Sequence, residues 1–214
     1  TAYVNVIIDT IISTGRADDF IIAICKVIQR LAIDQLHILG DIYDRGPGAH
    51  IIMDTMAHYH SWDIQWGNHD IVWMAAFSGS PLAMMNVIRI CARYGNLDIL
   101  EESYGINLRM ILEYAERYYE PSEAFQPRLV DGVRLSDDEQ ALLNKLQEAT
   151  AILQFKLESQ LIKRRPDFQL EHRDVLHFID FSEKTIKLGT EVYELTDFQA
   201  PTVNPEQPES LTAE

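Results

Sequence analysis

Gln35-Leu36-His37-Ile38-Leu39-Gly40-Asp41-Ile42-Tyr43-Asp44-Arg45-Gly46-Pro47-Gly48 is the stretch whose reading sets the fold class. Its first five residues are short, mainly apolar and bounded by Asp34 and Gly40, which is the pattern of a strand. Gly46-Pro47-Gly48 then breaks the chain. Residues 49–59 follow with Ile52, Met53 and Met56 on one helical face. Residues 63–66 make a second short strand, closed by Gly67. Strand, helix, strand in this span is a βαβ unit, and the crossover is long enough for a parallel pair. The fold class is therefore α/β.

Upstream, residues 4–12 are apolar with breaks and end near Gly15, a helix with a glycine cap. Asp18 or Asp19 is placed to cap a second helix carrying Ile22, Ile24, Val27, Ile28 and Leu31. Downstream of Asp70 the pattern turns helical over 71–77, 81–94, 97–104 and 108–119. Residues 121–127 read as a loop. Residues 137–162 read as a long amphipathic helix capped by Ser136. From His177 the pattern is β, over 178–181, 185–188 and 192–195, with Gly189-Thr190 as a hairpin turn.

The chain has 214 residues, 47% hydrophobic and 24% charged, with a formal net charge of -15. That length holds one domain, or a domain with a subdomain. The negative field repels a polyanionic backbone, so nucleic acid is excluded as a general partner. A phosphorylated substrate would need local help from metals or arginines. No apolar run reaches the ~18 residues that span a bilayer, so no membrane partner is expected. Cys25 and Cys91 stand alone in apolar stretches and are expected as two buried thiols. That usage fits a reducing, cytoplasmic setting, and residues 1–15 lack the layout of a signal peptide. Trp62, Trp66 and Trp73 are expected in the core. The absence of an initiating Met and the linker-like Asn204-Pro205-Glu206-Gln207-Pro208-Glu209 suggest a piece of a longer chain.

Two motifs carry the chemistry: Gly40-Asp41-Ile42-Tyr43-Asp44-Arg45-Gly46 and Gly67-Asn68-His69-Asp70. Each follows a predicted strand. In a parallel unit both strand ends face one edge, where α/β sheets bind ligands. Asp41 and Asn68 should therefore converge. A carboxylate and an amide oxygen are hard ligands for Mn²⁺, Mg²⁺ or Fe. Two such metals about 4 Å apart activate water and stabilise an in-line displacement at phosphorus. Asp41 could bridge them, and Arg45 offers a planar fork for phosphate oxygens. His69 is placed to protonate a leaving alkoxide, with Asp44 to orient it.

Together these motifs resemble the metallophosphoesterase superfamily, which includes the Ser/Thr protein phosphatases. The wider text resembles class III fructose-1,6-bisphosphatase of Firmicutes-type bacteria. The resemblance rests on Leu36-His37-Ile38-Leu39, Trp66-Gly67-Asn68-His69-Asp70, Ile88-Arg89-Ile90-Cys91-Ala92-Arg93-Tyr94 and Tyr104-Gly105-Ile106-Asn107-Leu108-Arg109. It continues through Gln154-Phe155-Lys156-Leu157-Glu158-Ser159, Ile162-Lys163-Arg164-Arg165-Pro166 and Asn204-Pro205-Glu206-Gln207-Pro208.

The resemblance implies Mn²⁺-dependent removal of the 1-phosphate of fructose 1,6-bisphosphate, a step of gluconeogenesis. Asp41 is then the bridging ligand and Asn68 a ligand of the second metal. His69 is the acid, Asp44 its partner and Arg45 a phosphate contact. Residues 1–79 are a metallophosphoesterase core segment, 80–170 a helical insertion, 171–203 a small β segment with a hairpin, and 204–214 a linker. The family also uses an Asp-x-His motif upstream and two glycine-flanked histidines downstream. No Asp-x-His precedes Gly40, and His172 and His177 lack that glycine context. The remaining ligands are expected outside this segment, leaving it weak in metal binding and turnover by itself.

Arg89 and Arg93 lie four apart on one predicted helix face and are candidate readers of a second phosphate. Lys163-Arg164-Arg165 is expected to pair with neighbouring carboxylates. His37, His50, His58 and His60 fit no closed metal site. The sequence leaves open the oligomeric state and three rival readings. These are another metallophosphoesterase such as a protein phosphatase, a non-catalytic remnant, and a binding module using the 137–162 helix.

Overall fold

The computed structural model describes residues 2–129, 132–196 and 200–211. In chain order the helices and strands are Ala2–Ser13 (α1), Ala17–Ala32 (α2), Leu36–Ile38 (β1), Ala49–Ala57 (α3) and Trp62–Ile64 (β2). Asn68–Phe77 (α4), Pro81–Tyr94 (α5), Arg109–Tyr118 (α6) and Asp137–Arg164 (α7) follow. Ile179–Asp180 (β3), Thr185–Leu188 (β4) and Glu191–Glu194 (β5) close the series. The architecture is α/β, divided into two units. One holds residues 1–40 and 53–65, the other 41–52 and 66–214.

In the first unit, α1 stops where Gly15 takes φ +69, a backbone that favours glycine. Gly15 N–H donates to the Ile12 carbonyl, and Arg16 N–H to that of Ile11, both at 3.0 Å. The expected Asp cap of α2 is not made. Arg16 stands at the cap position without a side-chain bond, and Asp18 and Asp19 sit inside the first turn. There their charges complement the helix dipole. Neither α1 nor α2 contains a buried residue, and Cys25, expected as a buried thiol, is exposed. β1 and β2 pair in parallel, with Leu36 opposite Trp62, His37 opposite Asp63 and Ile38 opposite Ile64. β2 begins one residue earlier than its sequence pattern suggests. Gln65 has already left the strand, although its N–H still reaches the Ile38 carbonyl at 2.9 Å. His37 pairs with Asp63, and the His60 ring meets the Ile33 carbonyl at 2.7 Å.

The second unit is helical with a small sheet. α5 begins with Ser80, whose hydroxyl accepts from Ala83 N–H, and with Pro81 at the first helical position. It ends at Gly95, as its sequence predicts. α7 opens with a reciprocal cap: Glu139 N–H donates to Ser136 Oγ at 3.3 Å, and Ser136 N–H to Glu139 at 2.7 Å. Expected as amphipathic, α7 is instead buried all round its middle, from Leu146 through Ala151. Two of its buried polar residues are tied to a loop. Asn144 accepts from Ser122 N–H at 2.8 Å and donates to its carbonyl at 2.7 Å. Gln147 donates to the Phe125 carbonyl at 2.8 Å. The 121–127 loop is thereby tied over α7. The core joins Val87, Ile88, Cys91 and Ala92 of α5 to Leu143, Leu146 and Ala149 of α7, with Ala115 of α6 and Ala49 of α3. Of the tryptophans in this unit, Trp73 packs against that core, but Trp66 is exposed.

β3, β4 and β5 form an antiparallel meander, one strand more than a hairpin, with Gly189 at φ +63 in the β4–β5 turn. Residues 200–211, which take in the end of the expected β segment and most of the expected linker, are held mainly on α7. Lys156 donates to the Thr202 carbonyl, the hydroxyls of Tyr119 and Thr202 lie 2.6 Å apart, and Gln160 donates to the Glu209 carbonyl at 2.8 Å. Lys163 pairs with Glu209, and Arg165 with Asp167 at 2.7 Å, as expected for the basic run. Among the described residues, no helix is long and apolar enough to cross a membrane.

Candidate functional site

The chain enters the second unit at Asp41, which takes φ +54, left-handed for a residue other than glycine. It re-enters at Trp66, and α4 starts two residues later at Asn68. The sequence places this helix from residue 71. The earlier start has a local cause: Asp70, at the third helical position, accepts from the N–H of Gly67, the cap residue, at 2.9 Å. Asn68, His69 and Asp70 therefore lie on the first helical turn, not in a preceding loop.

Asp70 is 1% exposed. Besides Gly67 N–H it accepts from Asp41 N–H at 2.6 Å and Tyr43 N–H at 3.1 Å. Asp41 in turn accepts, through Oδ1, from His69 N–H at 3.2 Å. A side chain on Gly67 would collide with this arrangement, since its Cβ would sit 2.1 Å from Asp41 Oδ1. Asn68 stands exposed between Gly67 and His69, the two residues that meet Asp41.

His69 Nε2 lies 2.9 Å from Asp44 Oδ1, and the same oxygen accepts from Arg45 Nε at 3.1 Å. Asn96 donates to the Arg45 carbonyl at 3.1 Å, and the Arg45 guanidinium lies 5.5 Å from the Tyr94 ring centre. Tyr43 stacks on Trp73 at 4.6 Å and meets the Tyr104 hydroxyl at 2.7 Å. The two motifs, 20 or more residues apart in sequence, thus share one hydrogen-bonded group. Asn96 is a contribution that the sequence reading missed, while Asp70, quoted there within the second motif, and Trp73, expected in the core, were given no part in the site. A carboxylate three residues into a helix, after a glycine cap, was a usable signal for Asp70.

Arg89 and Arg93 stand apart from this group, with no hydrogen bond or ion pair to it among the described residues. Arg89 Nε donates to Gln154 at 3.1 Å, and Gln154 donates to Glu158 at 3.0 Å. Burial, then the charge of Arg93, holds Arg89 below the usual guanidinium range, while Glu158 acts in the opposite direction. Arg93 Nε is buried without a hydrogen-bond partner among the described residues. His172 and His177 line a cleft of about 950 Å³ beside the β3–β5 sheet. His177 is engaged by Asp174 at 3.0 Å and by Glu209 at 3.4 Å.

The donor chemistry at Asp41 and Asn68 fits a hard divalent cation: a carboxylate and an amide, both oxygen donors, with the bare Gly67 making room for the carboxylate. It fits as part of a site. No group of three or more His, Cys, Asp or Glu is placed to hold a metal ion among the described residues.

The family described as Firmicute fructose-1,6-bisphosphatase matches residues 1–214. The chain is 81% identical over 212 residues to "Fructose-1,6-bisphosphatase class 3" of Lactococcus lactis subsp. lactis, covering 99% of this chain and 33% of the relative. It is 72% identical to the protein of that name from Lactococcus lactis subsp. cremoris, with the same coverage of 99% and 33%. The corresponding Porphyromonas gingivalis protein is 50% identical over 215 residues, again covering 99% and 33%. The chain thus spans about a third of the length of these relatives. No solved structure matches it.

Proposed function

The chain belongs to the Firmicute fructose-1,6-bisphosphatase family, and on that premise we propose that the full-length enzyme removes the 1-phosphate of fructose 1,6-bisphosphate with the Asp41–Asp70 group in its active site. In this reading the core is that of a metallophosphoesterase, working in gluconeogenesis and in the cytoplasm on a small sugar phosphate. Asp41 and Asn68 hold part of a Mn²⁺ site, with Mg²⁺ or Fe as alternatives, and the remaining ligands come from other parts of the enzyme. When bound, the metals supply an activated water and charge neutralisation at the phosphate.

The observation that carries the reading is the pairing of His69 Nε2 with Asp44 Oδ1 at 2.9 Å. A carboxylate there holds the N–H on Nε2 and stabilises the imidazolium, leaving Nδ1–H to protonate the departing sugar oxygen. Arg45 keeps Nε on Asp44, so its terminal N–H groups are available to phosphate oxygens. Arg89 and Arg93 are assigned to the second phosphate, supported by the unpartnered Arg93 Nε.

The test is phosphate release by the full-length enzyme with Mn²⁺ from a panel of fructose 1,6-bisphosphate, phosphopeptides and dinucleoside polyphosphates. Preferred release from the sugar bisphosphate is expected, with a loss of about 10²–10⁴-fold for His69→Asn. Faster release from a phosphopeptide would overturn the assignment.

A further inference from the structure

We infer that Asp70 is a positioning residue, whose buried carboxylate staples the Asp41 loop to the start of α4 and so holds the Asp41 carboxylate ready for a divalent metal. The inference rests on the proposed metal role of Asp41.

Three backbone N–H groups converge on Asp70. Oδ2 takes Asp41 at 2.6 Å and Gly67 at 2.9 Å, and Oδ1 takes Tyr43 at 3.1 Å. Both oxygens are therefore in use, and at 1% exposure the side chain has no solvent to fall back on. Asp70 is thus no metal ligand itself. It acts through Asp41, whose φ of +54 is left-handed, a backbone that a local hydrogen bond helps an Asp to keep. The bond from Asp41 N–H to Asp70 adds a hold on it. It turns the Asp41 side chain back onto the second motif, where Oδ1 meets His69 N–H at 3.2 Å.

The need is for a carboxylate, not merely a polar side chain. Asparagine offers one acceptor oxygen, and its NH₂ would face one of the three N–H donors. An ionised carboxylate accepts all three and also sits favourably at the positive end of α4. The same contacts make metal affinity and loop geometry one property, because the residue that caps the helix also sets the ligand's backbone.

The experiment is Mn²⁺ titration by calorimetry on the full-length enzyme, comparing wild type, Asp70→Asn and Asp41→Asn, with circular dichroism to confirm folding. A loss of Mn²⁺ affinity of about 10–100-fold is expected for Asp70→Asn, as for other groups that orient a ligand. Its activity deficit should shrink as Mn²⁺ is raised, which a general loss of folded enzyme would not produce. Wild-type Mn²⁺ affinity in folded Asp70→Asn, with affinity lost in Asp41→Asn, overturns the staple alone. Wild-type affinity in Asp41→Asn overturns the metal reading beneath it. Hydrogen exchange on metal-free wild-type enzyme tests the staple without any substitution. Protected amides at Asp41, Tyr43 and Gly67 are expected, and free exchange there overturns it.

Discussion

Asp41 and Gly67 meet only because Gly67 has no side chain: a Cβ there would lie 2.1 Å from Asp41 Oδ1 and 2.6 Å from its backbone nitrogen. Such a distance cannot be absorbed by a small shift, because one of the colliding atoms is backbone. Gly67→Ala should therefore push the Asp41 carboxylate off its position while leaving α4 helical. In the full-length enzyme, Mn²⁺-dependent phosphate release should fall by about 10²-fold or more, the scale of a 1 Å misplacement at a reacting group. Steady-state kinetics with a circular dichroism control checks this, and a rate near wild type would show that Asp41 is free to move.

Asp44 meets two side chains through one oxygen, His69 Nε2 at 2.9 Å and Arg45 Nε at 3.1 Å. Asp44→Asn keeps the shape but removes the charge that stabilises protonated His69. The expected outcome is a fall in kcat of at least about tenfold with KM nearly unchanged, since the deficit arises in proton transfer and not in binding. A change confined to KM would move Asp44 from His69 support to substrate contact.

Lys156 has no exposed surface and donates to the Thr202 carbonyl, and burial holds its pKa below the usual lysine value of 10.5. A lysine depressed in the fold binds fewer protons there than when unfolded, so stability rises with pH between the folded value and 10.5. Below that window the buried charge costs stability in full. The melting temperature of wild type should accordingly gain on that of Lys156→Met as pH is raised from about 7 to 10. A difference that is flat in pH would mean that Lys156 stays charged in the fold, as well solvated as in the unfolded chain.

Burial alone pushes the Cys91 thiol up to about 12. At pH 8 almost none of it is thiolate, the reactive form. A thiol reagent at that pH should leave Cys91 unmodified in the native enzyme and label it once denaturant is added, read by peptide mapping. Prompt native labelling would mean that α5 opens readily.

Much of this was legible locally. The Ser80-Pro81 start and Gly95 stop of α5 were readable because caps act within a few residues. The Ser136–Glu139 cap of α7 was readable for the same reason, and the parallel pairing of β1 with β2 followed from an apolar run, a crossover helix and a second run. The motif residues Asp41, Asp44, Arg45, Asn68 and His69 were also identifiable by type and spacing. The exposure of Cys25 and Trp66 was not, because apolar context in sequence does not say which face another element covers. Nor was the burial of α7 round its whole middle, which depends on Asn144 and Gln147 finding carbonyls in the 121–127 loop.

By itself the sequence determined the α/β class, the caps at Gly15 and Ser136, the family and the residue types at the site, all of which rest on short-range patterns. Only the tertiary structure decided that Asp70, last residue of the second motif and third of α4, takes three N–H groups from two separate segments. It also decided that residues 200–211 are held on α7 through Lys156 and Gln160. The physical reason is the same for both. A buried carboxylate or ammonium must find partners, and those partners lie 27, 29 and 46 residues away along the chain.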